Sequence, residues 1–160
     1  GSRVAVMDQG RLMQVDTPDR IYEYPNSAYV AAFIGEVNLI RGRAAPKGDL
    51  AELDWAEGAA PLSGAMRAPL GKGDAAVLAI RPEKVTISAE KPDGAENAVR
   101  GRIEDIAYLG NVSTYHVELP SGHTIRAQTA NTHRIAGRVH TWDDQVWLCW
   151  PASEALILPE

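Results

Sequence analysis

The side chains best suited to metal binding or nucleophilic attack are four histidines, His116, His123, His133 and His140, and one cysteine, Cys149. A zinc site draws on close-spaced ligand pairs that converge on one point. None of the five has such a neighbour. His116 and His123 could face each other across a hairpin, but an exposed strand face explains them equally well. The acidic pairs Glu104-Asp105 and Asp143-Asp144 would form a catalytic dyad only with both carboxylates on one face. Adjacent strand residues point to opposite faces, so neither pair does so. Asp143-Asp144 reads instead as a turn before the last long strand. Gly71-Lys72 invites comparison with a phosphate-cradling loop, Gly-x-x-x-x-Gly-Lys-Ser/Thr. Met66 stands where the first glycine belongs and Gly73 replaces the hydroxyl residue, so this too is a turn. No Gly-x-Gly-x-x-Gly or Gly-x-Ser-x-Gly occurs. Asn111-Val112-Ser113 matches a glycosylation sequon without a secretory context. The reading contains no catalytic residue, no metal site and no cofactor site.

Trp142, Trp147 and Trp150 crowd one stretch. Platforms for single-stranded nucleic acid interleave aromatics with lysine and arginine. Here Arg138 and His140 lie upstream, and Asp143 and Asp144 sit beside the rings. Core packing or an apolar contact with a partner chain is the expectation. A net charge of −5 also argues against nucleic acid, whose binding needs a basic surface.

The elements that must position these residues are short. Ten prolines and fourteen glycines spread over 160 residues favour β structure broken by turns. The longest apolar run, residues 28–34, is far too short to span a bilayer. Gly1-Ser2 reads as a cloning scar, and a lone cysteine fits a reducing compartment. Val4–Met7 and Leu12–Val15 flank the turn quartet Asp8-Gln9-Gly10-Arg11, which predicts a hairpin. Thr17-Pro18-Asp19 predicts a helix start with a threonine cap, and Pro25 ends that helix near Tyr24. Ser27 caps a second helix over 28–34, with Gly35 expected as its left-handed terminator. Strands are expected over 37–43, 76–80, 85–88, 99–109, 112–119, 123–128 and 145–150. Gly110-Asn111 is a two-residue hairpin turn in glycine-first order. The stretch 49–67, rich in alanine and glycine, is the least committed and is expected to carry a loop. Short strands at this spacing suggest a small sandwich or an open barrel of the OB type.

The segment "RVAVMDQGRLMQVDTPDRIYEYPNSAYVAAFIGEVNLI" resembles the end of the ATP-binding domain in ATPase subunits of bacterial ABC importers. The spermidine/putrescine, maltose and ferric-iron class is the most similar. "LAIRPEKVTIS" looks like that family's Ile-Arg-Pro-Glu strand, and "GRIEDIAYLGNVSTYHVELPSGHTI" looks like its Tyr-Leu-Gly hairpin. "GEVNLI" and "TWDDQVWLCW" look most like the putrescine-type branch. One departure is Asp16, where a glycine is usual before the Thr-Pro.

The resemblance implies a mainly β fold: an OB-like, transport-associated (TOBE) barrel or sandwich over 37–160, preceded over 3–36 by the hairpin and two helices ending the ATPase domain. It implies a non-enzymatic fragment, because the Walker loops, the signature motif and the switch histidine are absent from this sequence. ATP and magnesium belong to the full-length parent. It also implies a homodimer through the β domain, the missing ATPase domain as a packing partner, importer membrane subunits reached through the parent, and a cytoplasmic place on the inner face of the cell membrane. Expected dimer or regulatory contacts are Arg81-Pro82-Glu83 and Tyr108-Leu109-Gly110. A ligand cleft sensing the transported solute would use Glu104, Asp105, Tyr108 and Glu118. Oligonucleotide binding rests on fold analogy alone. Tyr29, Val30, Phe33 and Ile34 form the face that would pack on the ATPase core. In this chain exchange with, or packing against, a second copy is the expected cover for that face.

Overall fold

The computed structural model describes residues 2–131 and 140–160; Gly1, His133 and Arg138 lie outside the described residues. The chain divides into two compact units, Gly1–Ala79 with Ala155–Glu160, and Ile80–Glu154. The β region expected as one domain from 37 to 160 is therefore shared between two bodies, and the final strand belongs to the first of them. The fold is mainly β.

The first unit opens with an antiparallel hairpin, β1 (Val4–Asp8) and β2 (Arg11–Asp16). Its turn residues, Gln9 and Gly10, have φ of 49° and 79°, the left-handed pair that matches the twist of a two-residue hairpin. Helix α1 (Pro18–Glu23) follows, but the Thr17 hydroxyl does not cap it. That hydroxyl bonds the Asp19 carboxylate, which holds Asp19 below the usual carboxylate range. The Thr17 N–H donates instead to Asp16 Oδ1 at 2.9 Å. In α2 (Ala28–Ile34) the expected cap is present, with Ser27 Oγ accepting from the Val30 N–H at 3.3 Å. Gly35 is no left-handed terminator: at φ 176° the chain simply straightens.

Helix α2 meets different surroundings on different faces, as 100° per residue requires. Val30 turns inward to a cluster with Val6 and Ile21, with Met13 and Ile34 packed against it. Ala31 turns to a second cluster with Val37, Ala79 and Leu158. Of the face expected to meet another copy, Val30 and Ile34 are covered by the hairpin and α1 of the same chain. Tyr29 and Phe33 remain on the outside, their rings stacked with centroids 6.0 Å apart.

Five strands close a barrel in the order β12-β5-β4-β3-β6. They are β3 (Asn38–Lys47), β4 (Leu50–Asp54), β5 (Leu62–Met66), β6 (Ala75–Ile80) and β12 (Leu156–Pro159). Strands β4 and β5, which the sequence reading did not single out, lie within 49–67, and the loop expected there joins them over 55–61. Their small, alternating residues Ala51, Leu53, Leu62 and Gly64 are buried, and at Gly64 a Cβ would press on the Ile157 side chain. The last strand pairs parallel with β5 and antiparallel with β6.

The second unit is a five-stranded antiparallel sheet in the order β10-β9-β8-β11-β7. Its strands are β7 (Thr86–Ser88), β8 (Asn97–Leu109), β9 (Val112–Glu118), β10 (Thr124–Ala130) and β11 (Gln145–Trp150). Strict alternation along β8 fails at Glu104. Ile103 pairs with Val117 and Asp105 with His116, so Glu104 is the extra residue of a bulge. This lets both Ile103 and Ile106 reach the interior.

Two outcomes test this packing. At Gly101 a Cβ would lie 2.6 Å from both the Glu118 carbonyl oxygen and Val117 Cγ1. Gly101→Ala is expected to cost about 1–3 kcal/mol, read as a lowered urea midpoint. Burial pushes the Cys149 thiol up, with the Lys91 charge opposing weakly. The fold therefore keeps a proton that the unfolded chain releases, and stability falls as pH climbs past about 8.5. Urea midpoints at neutral and alkaline pH should converge in Cys149→Ala relative to wild type.

Candidate functional site

The β8–β9 hairpin ends in a tip built for exposure. Gly110 has φ 63°, the glycine-first turn expected from the sequence. Tyr108 and Leu109 on its rising strand are 57% and 60% exposed. Trp142, 48% exposed, meets the Tyr108 ring edge-on at 6.3 Å. From Ile106 to Thr114 the chain carries no charged side chain. The tip is thus an uncharged, exposed aromatic patch on an acidic chain.

The three C-terminal tryptophans do not act together. Trp150 is buried at 2% exposure. Trp147 is half-buried with Lys91 Nζ 5.5 Å over its ring. Trp142 precedes the Asp143 turn (φ 68°) and so stays outside β11. Its position before Asp143-Asp144, rather than within the apolar strand, was the signal that set it apart.

The Arg81-Pro82-Glu83 segment is mostly turned inward. Arg81 is 6% exposed and Pro82 is buried, which leaves Glu83 on the outside. The segment forms a short 3-10 turn, Pro82–Lys84, from which Lys84 Nζ reaches Glu154 at 3.0 Å. Against their expectation as contact residues, Arg81 and Pro82 are buried within the chain.

The four residues expected to line a ligand cleft have separate engagements. Glu104 accepts from the Thr124 hydroxyl at 3.0 Å. Asp105 accepts from the Ile106 N–H at 2.9 Å. Tyr108 sits at the tip. Glu118 pairs with Arg102 at 3.4 Å, and Arg102 also donates to Asp143 at 2.7 Å. These two carboxylates, Asp143 foremost, raise the Arg102 pKa. A cleft of about 180 Å³ beside Arg102 takes only Glu118 from the four, and there the guanidinium competes with any incoming ammonium. A second cleft, of about 330 Å³, is lined by Thr86, Pro92, Glu96, Cys149, Trp150 and Pro151. Its one carboxylate, Glu96, accepts from the Ala152 N–H at 3.0 Å. Among the described residues no three His, Cys, Asp or Glu side chains could hold a metal ion together. His116 pairs across strands with Arg126, while His123 sits in a turn with Ser121 Oγ 2.7 Å from Nδ1. The two histidines do not face each other.

On the first unit the helical face is divided. Val30 and Ile34 serve the small core between hairpin and helices. Tyr29 and Phe33, 39% and 62% exposed, are joined by hairpin residues the sequence did not single out. Tyr29 Oη donates to the Met7 carbonyl at 3.2 Å, and Met7 is the register partner of Leu12. Met7 and Leu12 are 52% and 59% exposed.

Comparison with known proteins follows this geometry. Residues 78–158 match the TOBE domain family. The putrescine transport ATP-binding protein PotG of Escherichia coli (strain K12) is 38% identical over 157 residues, covering 98% of this chain and 42% of that protein. The spermidine/putrescine import ATP-binding protein PotA of Frankia alni is 38% identical over 167 residues, covering 99% of this chain and 36% of that protein. The chain thus spans about two-fifths of the length of these curated relatives. Among solved structures, the cytoplasmic molybdate-binding protein ModG aligns with a TM-score of 0.63 at 15% identity, covering 77% of this chain and 96% of that one. At that identity the likeness concerns the fold alone, which is OB-like. With its barrel, its sheet and the family match over more than half its length, the chain belongs to the TOBE domain family and corresponds to the C-terminal part of the polyamine importers' ATP-binding proteins.

Proposed function

We propose that the chain is the non-catalytic accessory part of the ATP-binding subunit of a polyamine importer, and that its second unit holds two such subunits together. The observation that carries this reading is the 38% identity, over nearly the whole chain, to ATP-binding proteins named for putrescine and spermidine/putrescine transport. ATP and magnesium are handled by the remainder of the parent, which also meets the importer's membrane subunits at the inner face of the cell membrane. No described helix is long and apolar enough to cross a membrane.

Residues 3–36 are the end of the ATPase domain in this reading. The Tyr29, Phe33, Met7 and Leu12 face then turns toward the rest of that domain. The dimer contact lies at the tip, with Tyr108 and Leu109 as apolar anchors, Gly110 fixing the turn, and Glu83 at the rim. Nucleotide domains that separate after hydrolysis gain from a lasting contact elsewhere, because it keeps their effective concentration high. A two-fold contact lets one patch serve both copies.

Sedimentation of the isolated chain is expected to show self-association at roughly tens of micromolar (weak-interface affinity,), abolished by Leu109→Asp. A strictly monomeric wild type at that concentration overturns the dimer. The transport reading has its own test, since cells lacking the parent gene should lose uptake of labelled putrescine. Unchanged uptake overturns it.

A further inference from the structure

We infer that Tyr24, bracketed by Arg20 and Arg67, is a latch that holds the helices α1 and α2 on the barrel of the same chain and releases them as a unit. The Arg67 guanidinium carbon lies 4.6 Å from the Tyr24 ring centroid, and that of Arg20 lies 5.4 Å from it. Both are within the range of a cation over an aromatic face. They reach the ring from different elements: Arg20 stands on α1, while Arg67 directly follows the barrel strand β5. The phenol is thus a shared seat between the helical segment and the barrel.

Asp16, where the resembling importers usually have glycine, completes the seat. Its Oδ2 pairs with Arg20 Nε at 3.2 Å, and its Oδ1 accepts the Thr17 N–H. One carboxylate therefore aims Arg20 along the helix and braces the helix start. The backbone at Tyr24 is also held. Gln14 Nε2 donates to the Tyr24 carbonyl at 3.1 Å, and Gln14 Oε1 accepts the Asn26 N–H at 2.9 Å. The hairpin thereby fixes where the ring stands.

A second contact joins the helices to the barrel. From α2 only Ala31 joins the cluster of Val37, Ala79 and Leu158, and the Tyr24 ring is 41% exposed. Six- and seven-residue helices have little stability of their own in water, so release from the barrel, which leaves them only the hairpin cluster of Val6, Ile21 and Val30, speeds exchange in both. Their amide exchange therefore reports the latch directly, whatever the parent protein does.

The experiment is hydrogen exchange on the full 160-residue chain. Arg67→Ala and Tyr24→Leu should speed exchange in both α1 and α2 by about two- to five-fold (the range of an exposed cation–π contact,). Strands β3 to β6 should keep their wild-type rates. Tyr24→Phe keeps the ring and should behave as wild type. Asp16→Gly should speed exchange in both helices less than Arg67→Ala does. The latch is overturned if Arg67→Ala exchanges as wild type, if the barrel loosens along with the helices, if only α1 responds, or if Tyr24→Phe is as disruptive as Tyr24→Leu.

Discussion

The first unit depends on the return of its final strand. A four-stranded sheet of β3 to β6 would leave two edges open, each a row of unpaired backbone groups. Strand β12 fills the gap between β5 and β6, and in doing so buries Ile157 and Leu158 completely. Leu158 then joins the cluster that receives Ala31 of α2. Closure of the barrel and docking of the helical segment therefore share one residue. The separation in sequence is large, since Leu156 pairs with Ala79, and the whole second unit lies between them. Ordering so long a loop is entropically costly, and the apolar run Leu156-Ile157-Leu158 is what offsets it.

Among the described residues no three His, Cys, Asp or Glu side chains could hold a metal ion. Acidic side chains that the sequence made candidates are engaged: Asp143 and Glu118 with Arg102, Glu104 with the Thr124 hydroxyl, and Asp105 with the Ile106 N–H. Apolar side chains also face water, at the Tyr108–Trp142 tip and at the Tyr29–Phe33 face. Such surfaces suit contact between macromolecules.

Much of the architecture was legible. The hairpin, both short helices and seven strands follow from turn residues and period-two burial, and Tyr115, Val117 and Leu119 share the interior face as their spacing requires. Strands β4 and β5 escaped because alanine and glycine carry little β signal, and the barrel selects them for size instead. The Thr17 cap failed for a local reason, since the threonine hydroxyl turned to the Asp19 carboxylate instead of the helix backbone. At the site, Tyr108 and Leu109 were singled out from a family pattern and lie exposed at a tip, whereas Arg81 and Pro82 from the same source are buried.

The sequence by itself determined where most of the strands and turns fall, that no metal or phosphate motif is present, and which family the chain resembles. These are properties of local spacing and composition, set by backbone sterics and side-chain type. Tertiary structure alone decided which face of α2 is spent on the hairpin, which on the barrel and which is left open. It also decided that Trp142 stands apart from Trp150, and that Arg67 finds Tyr24. Those outcomes depend on residues far apart in the chain being brought within a few ångströms, and packing, unlike periodicity, is not written in any short stretch.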